Sequence, residues 1–339
     1  MRKLIHITDL YHPHEDPDDH FDLAQIFALA KNRYIDLCHI IIDWPAKGKQ
    51  GDPALCAVAQ LNYLAGTDVQ VTIGADVDKF RGKPELWADA PYSEVKAADR
   101  IIDILKKSDE KVYITIVGGC LDTAIALSRN AQVFRDKCAG IILNAGSGTN
   151  TKTLEYNVEL GRIEYSSIFS APCPIYWNPC FDNIETGEGC YKTHWSFQMK
   201  DIFSVVSNGL NSYFTYMLTE SSNPKYLGIL FETCNPQVLA NWGEQVRNMW
   251  CTGSIFHVCG LTVTPDGDIV SESSDSASVY SYEPIRVSCN ENGITIWQHL
   301  PESESLADDT SMRYIFRIND EKQYPVAMKK AMARILKQL

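Results

Sequence analysis

The stretch that decides the fold is residues 3–30, KLIHITDLYHPHEDPDDHFDLAQIFALA. Its apolar run at 4–8 predicts a buried strand, and the apolar residues of 23–30 recur at the three- and four-residue spacing of a helix. Between these two patterns, residues 9–22 contain six carboxylates and three histidines. The sequence therefore concentrates negative charge directly after its first strand.

Strand and helix patterns alternate through the first half of the chain. Further buried strands are predicted at 35–43, 69–74, 111–119 and 139–146, and helices at 52–66, 93–108 and 121–130. This alternation predicts an α/β fold with a mostly parallel central sheet and helices on both faces. Because such sheets bind ligands at the carboxyl ends of their strands, the residues that follow each strand are the candidates for a functional site.

The second half has a different pattern. Helical spacing covers 199–220 and 235–260, hairpins are predicted about Pro-Asp-Gly and Asn-Gly within 261–270 and 285–297, and an amphipathic basic helix is predicted at 325–339. No low-complexity linker separates the two halves. We therefore expect residues 1–339 to form one domain with extra C-terminal hairpins and a helix.

Composition excludes several classes of partner. The chain has 31 basic and 43 acidic residues, a formal net charge of −12, which argues against nucleic acid because phosphate binding needs a basic face. No apolar run reaches the length of a membrane span, so no membrane partner is expected. The 11 cysteines form no CxxC pair, and we expect them to stay reduced in a cytoplasmic protein.

The acidic cluster allows two interpretations. Asp16, Asp18, Asp19 and Asp22 lie at the start of the predicted helix, where carboxylates favourably cap unpaired backbone N–H groups. Crowded carboxylates also repel one another, and a hard divalent cation relieves that repulsion. The number of acids and their position after a strand favour the metal site over the cap.

This stretch resembles the opening signature of the nucleoside hydrolases. The residues that carry the resemblance are ITD at 7–9 and DPDDHFDLAQIFAL at 16–29, with His12 and His14 in a loop longer than usual. The resemblance implies that Asp9 binds calcium and acts as general base, that Asp18 binds ribose, and that Asp19 is a second calcium ligand. Calcium is the expected cofactor, with magnesium as the alternative.

Two further segments extend the resemblance over roughly residues 3–180, and the match is poorer from about residue 181. IVGGCLDTAIAL at 116–127 is similar to the turn whose backbone carbonyl completes the calcium shell, which implies the carbonyl of Leu121. TLEYNVELGRIEYSSIFSAPCPIYW at 153–177 is similar to the segment that holds the ribose hydroxyls. It implies Glu155 and Asn157 for that role, with Asn150 as a weaker candidate.

One position departs from the family pattern. Trp250 and Cys251 align with a late His-Asp pair whose aspartate binds calcium, and a cysteine is a poor calcium ligand. Three outcomes stay open. Asp16 or Asp22 fills the shell, a water fills it, or the chain has lost the metal and the activity.

The group that assists the leaving base is not fixed by the sequence. His12, His14 and His20 lie nearest to the predicted site and suit proton donation near neutral pH, although a histidine in a polar loop is more often solvated. Trp177 and Trp250 are candidates to stack on a base, and Tyr11, Trp195 and Tyr213 are weaker candidates. Aromatic residues at helical spacing are more often core.

The resemblance implies a metal-dependent hydrolase of the N-glycosidic bond of ribonucleosides or a related N-riboside, in a homodimer or homotetramer. The alternative is a homologue that binds nucleosides or sugars and has lost catalysis through Cys251. A metallophosphoesterase ranks last. HITDLYHPH at 6–14 loosely resembles its first metal motif, but its later Gly-Asn-His and paired-histidine blocks are absent.

Overall fold

The computed structural model describes residues 1–13, 17–45, 51–149, 153–301 and 312–339. In chain order the strands are β1 (Arg2–Thr8), β2 (Tyr11–His12), β3 (Ile35–Ile42), β4 (Asp52–Pro53), β5 (Val71–Ile73), β6 (Val112–Ile116), β7 (Cys138–Asn144), β8 (Ile175–Asn178), β9 (Trp195–Gln198), β10 (Val246–Met249), β11 (Leu261–Val263), β12 (Ile269–Ser271), β13 (Tyr280–Cys289), β14 (Thr295–His299) and β15 (Arg313–Ile318).

The helices are α1 (Asp18–Lys31), α2 (Leu55–Ala65), α3 (Val77–Phe80), α4 (Lys96–Lys107), α5 (Leu121–Lys137), α6 (Tyr156–Leu160), α7 (Arg162–Ile168), α8 (Lys200–Phe203), α9 (Asn208–Leu218), α10 (Pro236–Gly243), α11 (Thr252–Val258) and α12 (Gln323–Leu336). Short 3₁₀ turns lie at Pro84–Leu86 and Gly228–Phe231. Among the described helices, none combines the length and the apolar character that a membrane span requires.

One large sheet organises these elements. Its order in the described residues is β14-β13-β15-β8-β7-β6-β1-β3-β5. All neighbouring strands from β15 to β5 pair in parallel, whereas β13 pairs antiparallel with both β15 and β14. The predicted mostly parallel sheet is therefore confirmed. The predicted C-terminal hairpins are also confirmed, as β11–β12 and β13–β14, and the final helix is α12.

The strand order reverses at β1. The chain continues from β1 to β3 and β5 on one side, and later to β6, β7 and β8 on the other. Loops that follow β1 and β6 therefore leave in opposite directions, and a crevice forms where they separate. This geometry places Asp9, which follows β1, beside Val117, which follows β6.

Helices cover both faces, as predicted, because side chains of the central strands alternate in direction. Leu4 of β1 packs in one apolar core with α1, α2, α9, α11 and α12. Ile5 and Ile7 of the same strand pack in a second core with α4, α5 and α7. The sheet is thus buried on both faces, and its strand ends provide a rigid base for the loops that follow them.

Tertiary pairing changes several predicted boundaries. The helix predicted at 52–66 begins at Leu55, because Asp52 and Pro53 pair with the short strand at Tyr11–His12. The helix predicted at 235–260 is wrong as a single element, since Val246–Met249 forms a strand against Trp195–Gln198. The strand β15, which inserts between β8 and β13, was not predicted at all.

The buried His6 of β1 gives the fold a pH dependence. Its Nδ1 lies 2.8 Å from Thr115 Oγ1, and its Nε2 is buried without a partner among the described residues. Burial lowers the pKa of His6 from 6.5 to about 3. Below pH 6.5 the unfolded chain binds this proton and the folded chain does not, so the free energy of unfolding falls as the pH falls.

We expect His6→Asn to weaken this acid sensitivity. Asparagine can keep the hydrogen bond to Thr115 but does not titrate, so the slope of unfolding free energy against pH should decrease by up to about 1.4 kcal/mol per pH unit between about pH 6 and pH 4. Urea unfolding across this range measures the slope. Above about pH 8 the two curves should run parallel. Equal slopes at acidic pH would rule out His6 as the source.

Candidate functional site

A cavity of about 420 Å³ opens where β1 and β6 end. Its polar lining is Asp9, Asp18, Asp19, Glu155 and Asn157. Residues from the loop that follows β8 and from the start of α11 form the opposite wall, with Phe181, Ile184 and Trp250 among them. The cavity therefore has an acidic side and an apolar side.

Asp9 is placed by close backbone packing at the end of β6. A Cβ atom on Gly118 would approach the backbone N of Asp9 to 2.7 Å and Oδ2 of Asp43 to 2.6 Å, so glycine is needed there. Asp9 lines the main cavity and also a smaller cavity next to it. Its charge contributes to raising the pKa of Glu155 and of Asp43, which places it close to both carboxyls.

Asp18 and Asp19 occupy the first turn of α1, where the helix dipole favours negative charge. Both are buried, with 5% and 8% of their surface exposed. Their carboxylates face Cys251, whose Sγ lies 3.8 Å from Oδ2 of Asp18, and one ligand atom from each of the three residues lies within 4.8 Å of the others. Cys251, which aligns with the late calcium-binding aspartate of the family, therefore lies beside Asp18 and Asp19.

Glu155 caps α6 and is held by backbone donors. Its carboxylate accepts hydrogen bonds from the N–H of Gly146 at 2.7 Å and of Asn157 at 2.9 Å. Burial raises the pKa of Glu155 to about 7, against the lowering effect of these donors. The side chain is thus fixed in one orientation and titrates near neutral pH.

Asn157 is held by its amide nitrogen. Nδ2 donates to the carbonyl of Val117 at 3.0 Å and to that of Asn144 at 3.3 Å, which ties the loops after β6 and β7 together. Since both amide hydrogens are used, Oδ1 is the atom left to accept a hydrogen bond from a ligand. Asn157 lines the main cavity, so this acceptor lies where a hydroxyl group can reach it.

The smaller cavity is lined by three further carboxyls, those of Asp43, Asp122 and Glu164. Asp43, at the end of β3, accepts a hydrogen bond from the N–H of Gly119, and burial raises its pKa well above the usual range. Asp122 accepts from the N–H of Ala75 at 3.0 Å, and burial raises its pKa to about 6. Leu121 lines this smaller cavity, whereas Asp18 and Asp19 line the main one.

The structure separates three other predicted residues from the cavity. Trp177 is fully buried in the core, where its Nε1 donates to the carbonyl of Ala145. His12 packs flat on Tyr216 and its Nε2 lies 2.7 Å from the carbonyl of Ser221, and His20 is buried beside Tyr213. Neither Trp177 nor His12 can reach a ligand in the main cavity without leaving these contacts. His14, Asp16 and Asn150 lie outside the described residues.

Trp250 lines the cavity, as predicted for a stacking residue. Its ring packs against Phe181 and His194, with ring centres 6.1 Å and 5.5 Å away. Phe181, Ile184 and Cys180 were missed as individual residues. The signal for them is their position after β8, since ligands bind at the carboxyl ends of parallel strands.

The donors near α1 fit a cation but fit calcium poorly. Calcium prefers six to eight oxygen ligands, whereas the cluster of Asp18, Asp19 and Cys251 combines two carboxylates with one sulfur. A thiolate is a soft ligand that calcium does not favour. The calcium site implied by the resemblance is therefore altered at Cys251.

Known structures share this fold at low sequence identity. A plant nucleoside hydrolase, PpNRh1, matches 98% of this chain and 99% of its own with 14% identity and a TM-score of 0.55. The inosine-uridine preferring nucleoside hydrolase from Bacillus anthracis matches 100% of both chains with 14% identity and a TM-score of 0.51. The type III effector XopQ, solved with adenosine diphosphate ribose, covers 99% of this chain and 94% of its own with 13% identity and a TM-score of 0.56.

No family model and no curated protein matches the sequence. The chain therefore has the fold of the nucleoside hydrolases, as the resemblance predicted, in a strongly diverged sequence.

Asp22 gives a testable consequence for the metal-free protein. It is fully buried, one helical turn after Asp18, and neither of its oxygens has a partner in the described part of the chain. Burial raises its pKa well above 3.8, so an ionised Asp22 lowers stability above that pH. We expect Asp22→Asn to raise the free energy of unfolding by about 1 kcal/mol or more at pH 7 in chelator.

The same comparison at acidic pH provides the control. Well below pH 3.8 the carboxyl is protonated in both the folded and the unfolded chain, so the gain should disappear. Urea unfolding at both pH values measures the difference. A variant that is less stable than the wild type at pH 7 would show that Asp22 has a compensating partner.

Proposed function

We propose that this protein hydrolyses the N-glycosidic bond of ribonucleosides or of a related N-riboside. One observation carries the proposal. Carboxylates from three separate segments, at Asp9, Asp18–Asp19 and Glu155, meet the amide of Asn157 in one cavity whose other wall is aromatic and apolar. This lining complements a molecule with a polyhydroxylated ring at one end and a flat base at the other.

The size of the cavity suits such a ligand. Its volume of about 420 Å³ lies in the range of small-molecule sites. Trp250, Phe181 and Ile184 offer the base an apolar wall, and Trp250 carries a buried N–H without a partner among the described residues. An aromatic ring of this kind can stack on a nucleobase.

The opposite side is suited to a ribose. Glu155 and Asn157 are held by backbone groups, so their remaining acceptor positions are fixed before a ligand arrives. Together with Asp18, they can accept hydrogen bonds from the 2′- and 3′-hydroxyl groups. The negative charge of the Asp18 and Glu155 carboxylates also favours the positive charge that develops on the sugar as the bond to the base breaks.

Asp9 is the candidate general base. In the proposed step the oxygen of a water molecule bonds to C1′ of the ribose, Asp9 takes a proton from that water, and the bond from C1′ to the base nitrogen breaks. The base leaves with the bonding electrons and is protonated, so the products are free ribose and free base. A divalent cation beside Asp18 and Asp19 would make a bound water easier to deprotonate.

The proposed substrate class covers several N-ribosides. The Bacillus anthracis protein is named for inosine and uridine, and XopQ was solved with adenosine diphosphate ribose. These ligands share a ribose bonded to a base nitrogen. The proposed substrate is therefore any N-riboside whose base fits against Trp250.

A second candidate function is binding without hydrolysis. Cys251 favours it, because a sulfur replaces the oxygen ligand that the resemblance expects beside Asp18 and Asp19. The two functions share the same cavity and differ in turnover. Thermal stabilisation by a nucleoside without release of ribose would identify the binding protein.

We expect Asp9→Asn to lower kcat/KM for riboside hydrolysis by about 100-fold or more, because an amide cannot accept the proton. The assay is release of reducing sugar from a panel of nucleosides and adenosine diphosphate ribose, with and without added divalent cation. Asp52→Asn is the matched control, since Asp52 is exposed on β4 and lies outside both cavities.

The midpoint of thermal unfolding should not fall in either variant. Full activity in the Asp9→Asn variant would remove Asp9 from the mechanism. Absence of turnover by the wild type on every member of the panel, under every metal condition, would contradict the proposed hydrolysis.

A further inference from the structure

The cluster beside α1 has a donor set that differs from an all-oxygen calcium site. Asp18, Asp19 and Cys251 are buried, and one ligand atom of each lies within 4.8 Å of the other two. One ion can contact all three atoms after small side-chain adjustments. The Sγ of Cys251 also donates weakly to Oδ2 of Asp18 at 3.8 Å, so the sulfur already points into the carboxylate pair.

Asp22 supplies an independent sign of a cation. Its carboxylate is fully buried and makes no hydrogen bond to the described residues. It follows Asp18 by one helical turn and lies close enough for its charge to act on the Cys251 thiol. A buried carboxyl without a hydrogen-bond partner is uncommon, and a cation at the neighbouring cluster would compensate for its lost hydration.

The sulfur selects the kind of ion. Calcium and magnesium prefer oxygen, whereas a thiolate favours zinc and similar thiophilic metals. Two carboxylate oxygens and one sulfur leave a fourth position of a tetrahedral zinc site for a water or a ligand. The cavity of about 420 Å³ lies on this open side, because Asp18, Asp19 and Cys251 all line it.

We propose that Asp18, Asp19 and Cys251 bind a thiophilic divalent cation of the zinc class and discriminate against calcium. The inference deepens the proposed function, on whose cavity it rests. It does not need turnover, because the selectivity is a property of the three ligands. Replacing the sulfur by a carboxylate should therefore reverse the preference.

Cobalt is the spectroscopic probe. The full chain is freed of metal with chelator under reducing conditions and titrated with Co²⁺. A thiolate-to-cobalt charge-transfer band should form at one equivalent in the near ultraviolet. Competition with Zn²⁺ gives its affinity, and calorimetry gives the Kd for Ca²⁺. We expect Zn²⁺ to bind the wild type at least about 100-fold more tightly than Ca²⁺.

Three variants assign the band to one sulfur among the 11 cysteines. Cys251→Ser should abolish it, and Cys251→Asp should abolish it and lower the ratio of Ca²⁺ Kd to Zn²⁺ Kd by about 100-fold. Cys180→Ser is the matched control, because Cys180 is buried in the lining of the same cavity but outside the cluster. It should keep the band and the Zn²⁺ affinity.

The proposal is overturned if the wild type gives no thiolate band, if it binds Ca²⁺ as tightly as Zn²⁺, or if the band survives in Cys251→Ser. The first two outcomes are measured on the wild type, so they overturn the proposal even if a variant fails to fold. The riboside assay separates the two proposals. Zinc binding without turnover contradicts only the proposed hydrolysis, whereas turnover with calcium and no thiolate band contradicts only the metal preference.

Discussion

The burial of several carboxylates at one end of a parallel sheet is the constraint on which the site depends. Asp18, Asp19, Asp22 and Glu155 are each less than a tenth exposed. A buried carboxylate costs free energy unless donors or a cation compensate for its lost hydration. The protein supplies backbone N–H groups to Glu155 and a helix N-terminus to the first two acids. Asp22 receives no such partner among the described residues, and the proposed cation would compensate for its burial.

The sheet makes this crowding possible. Because β1 lies where the strand order reverses, the loops after β1 and β6 diverge and leave room for a cavity between them. Two apolar cores hold β1 from both faces, so the acids project from a rigid edge. Gly118 allows the backbone at Asp9 to pack closely against the end of β6. Part of the stability generated by the cores is thus used to hold like charges together, as is common at functional sites.

Much of this arrangement could be predicted from the sequence. The alternation of buried runs and helical periods predicted the parallel sheet, and the rule that ligands bind at strand ends singled out Asp9, Asp18 and Asp19. Glu155 and Asn157 were predicted only through the resemblance to the nucleoside hydrolases. All five line one cavity. Their positions are local to strand ends and helix starts, and local sequence carries that information.

What could not be predicted depends on distant packing. Trp177 was a candidate to stack on a base, but a core formed with Phe169 and Tyr165 encloses it, and Phe181 lies in the cavity instead. His12 instead contacts Tyr216 and Ser221, which lie about 200 residues later in the chain. The strand β10 interrupts an apparently continuous helical pattern because β9 offers it a partner. No local pattern reports such contacts.

The most direct test is a crystal structure of the wild-type protein soaked with zinc and ribose, with anomalous data collected on both sides of the zinc absorption edge. We expect one strong anomalous peak within bonding distance of Asp18, Asp19 and Cys251, with the sugar hydroxyls against Glu155 and Asn157. A zinc ion bound elsewhere, or a ribose seated away from these residues, would contradict the convergence of metal and sugar at the end of β1.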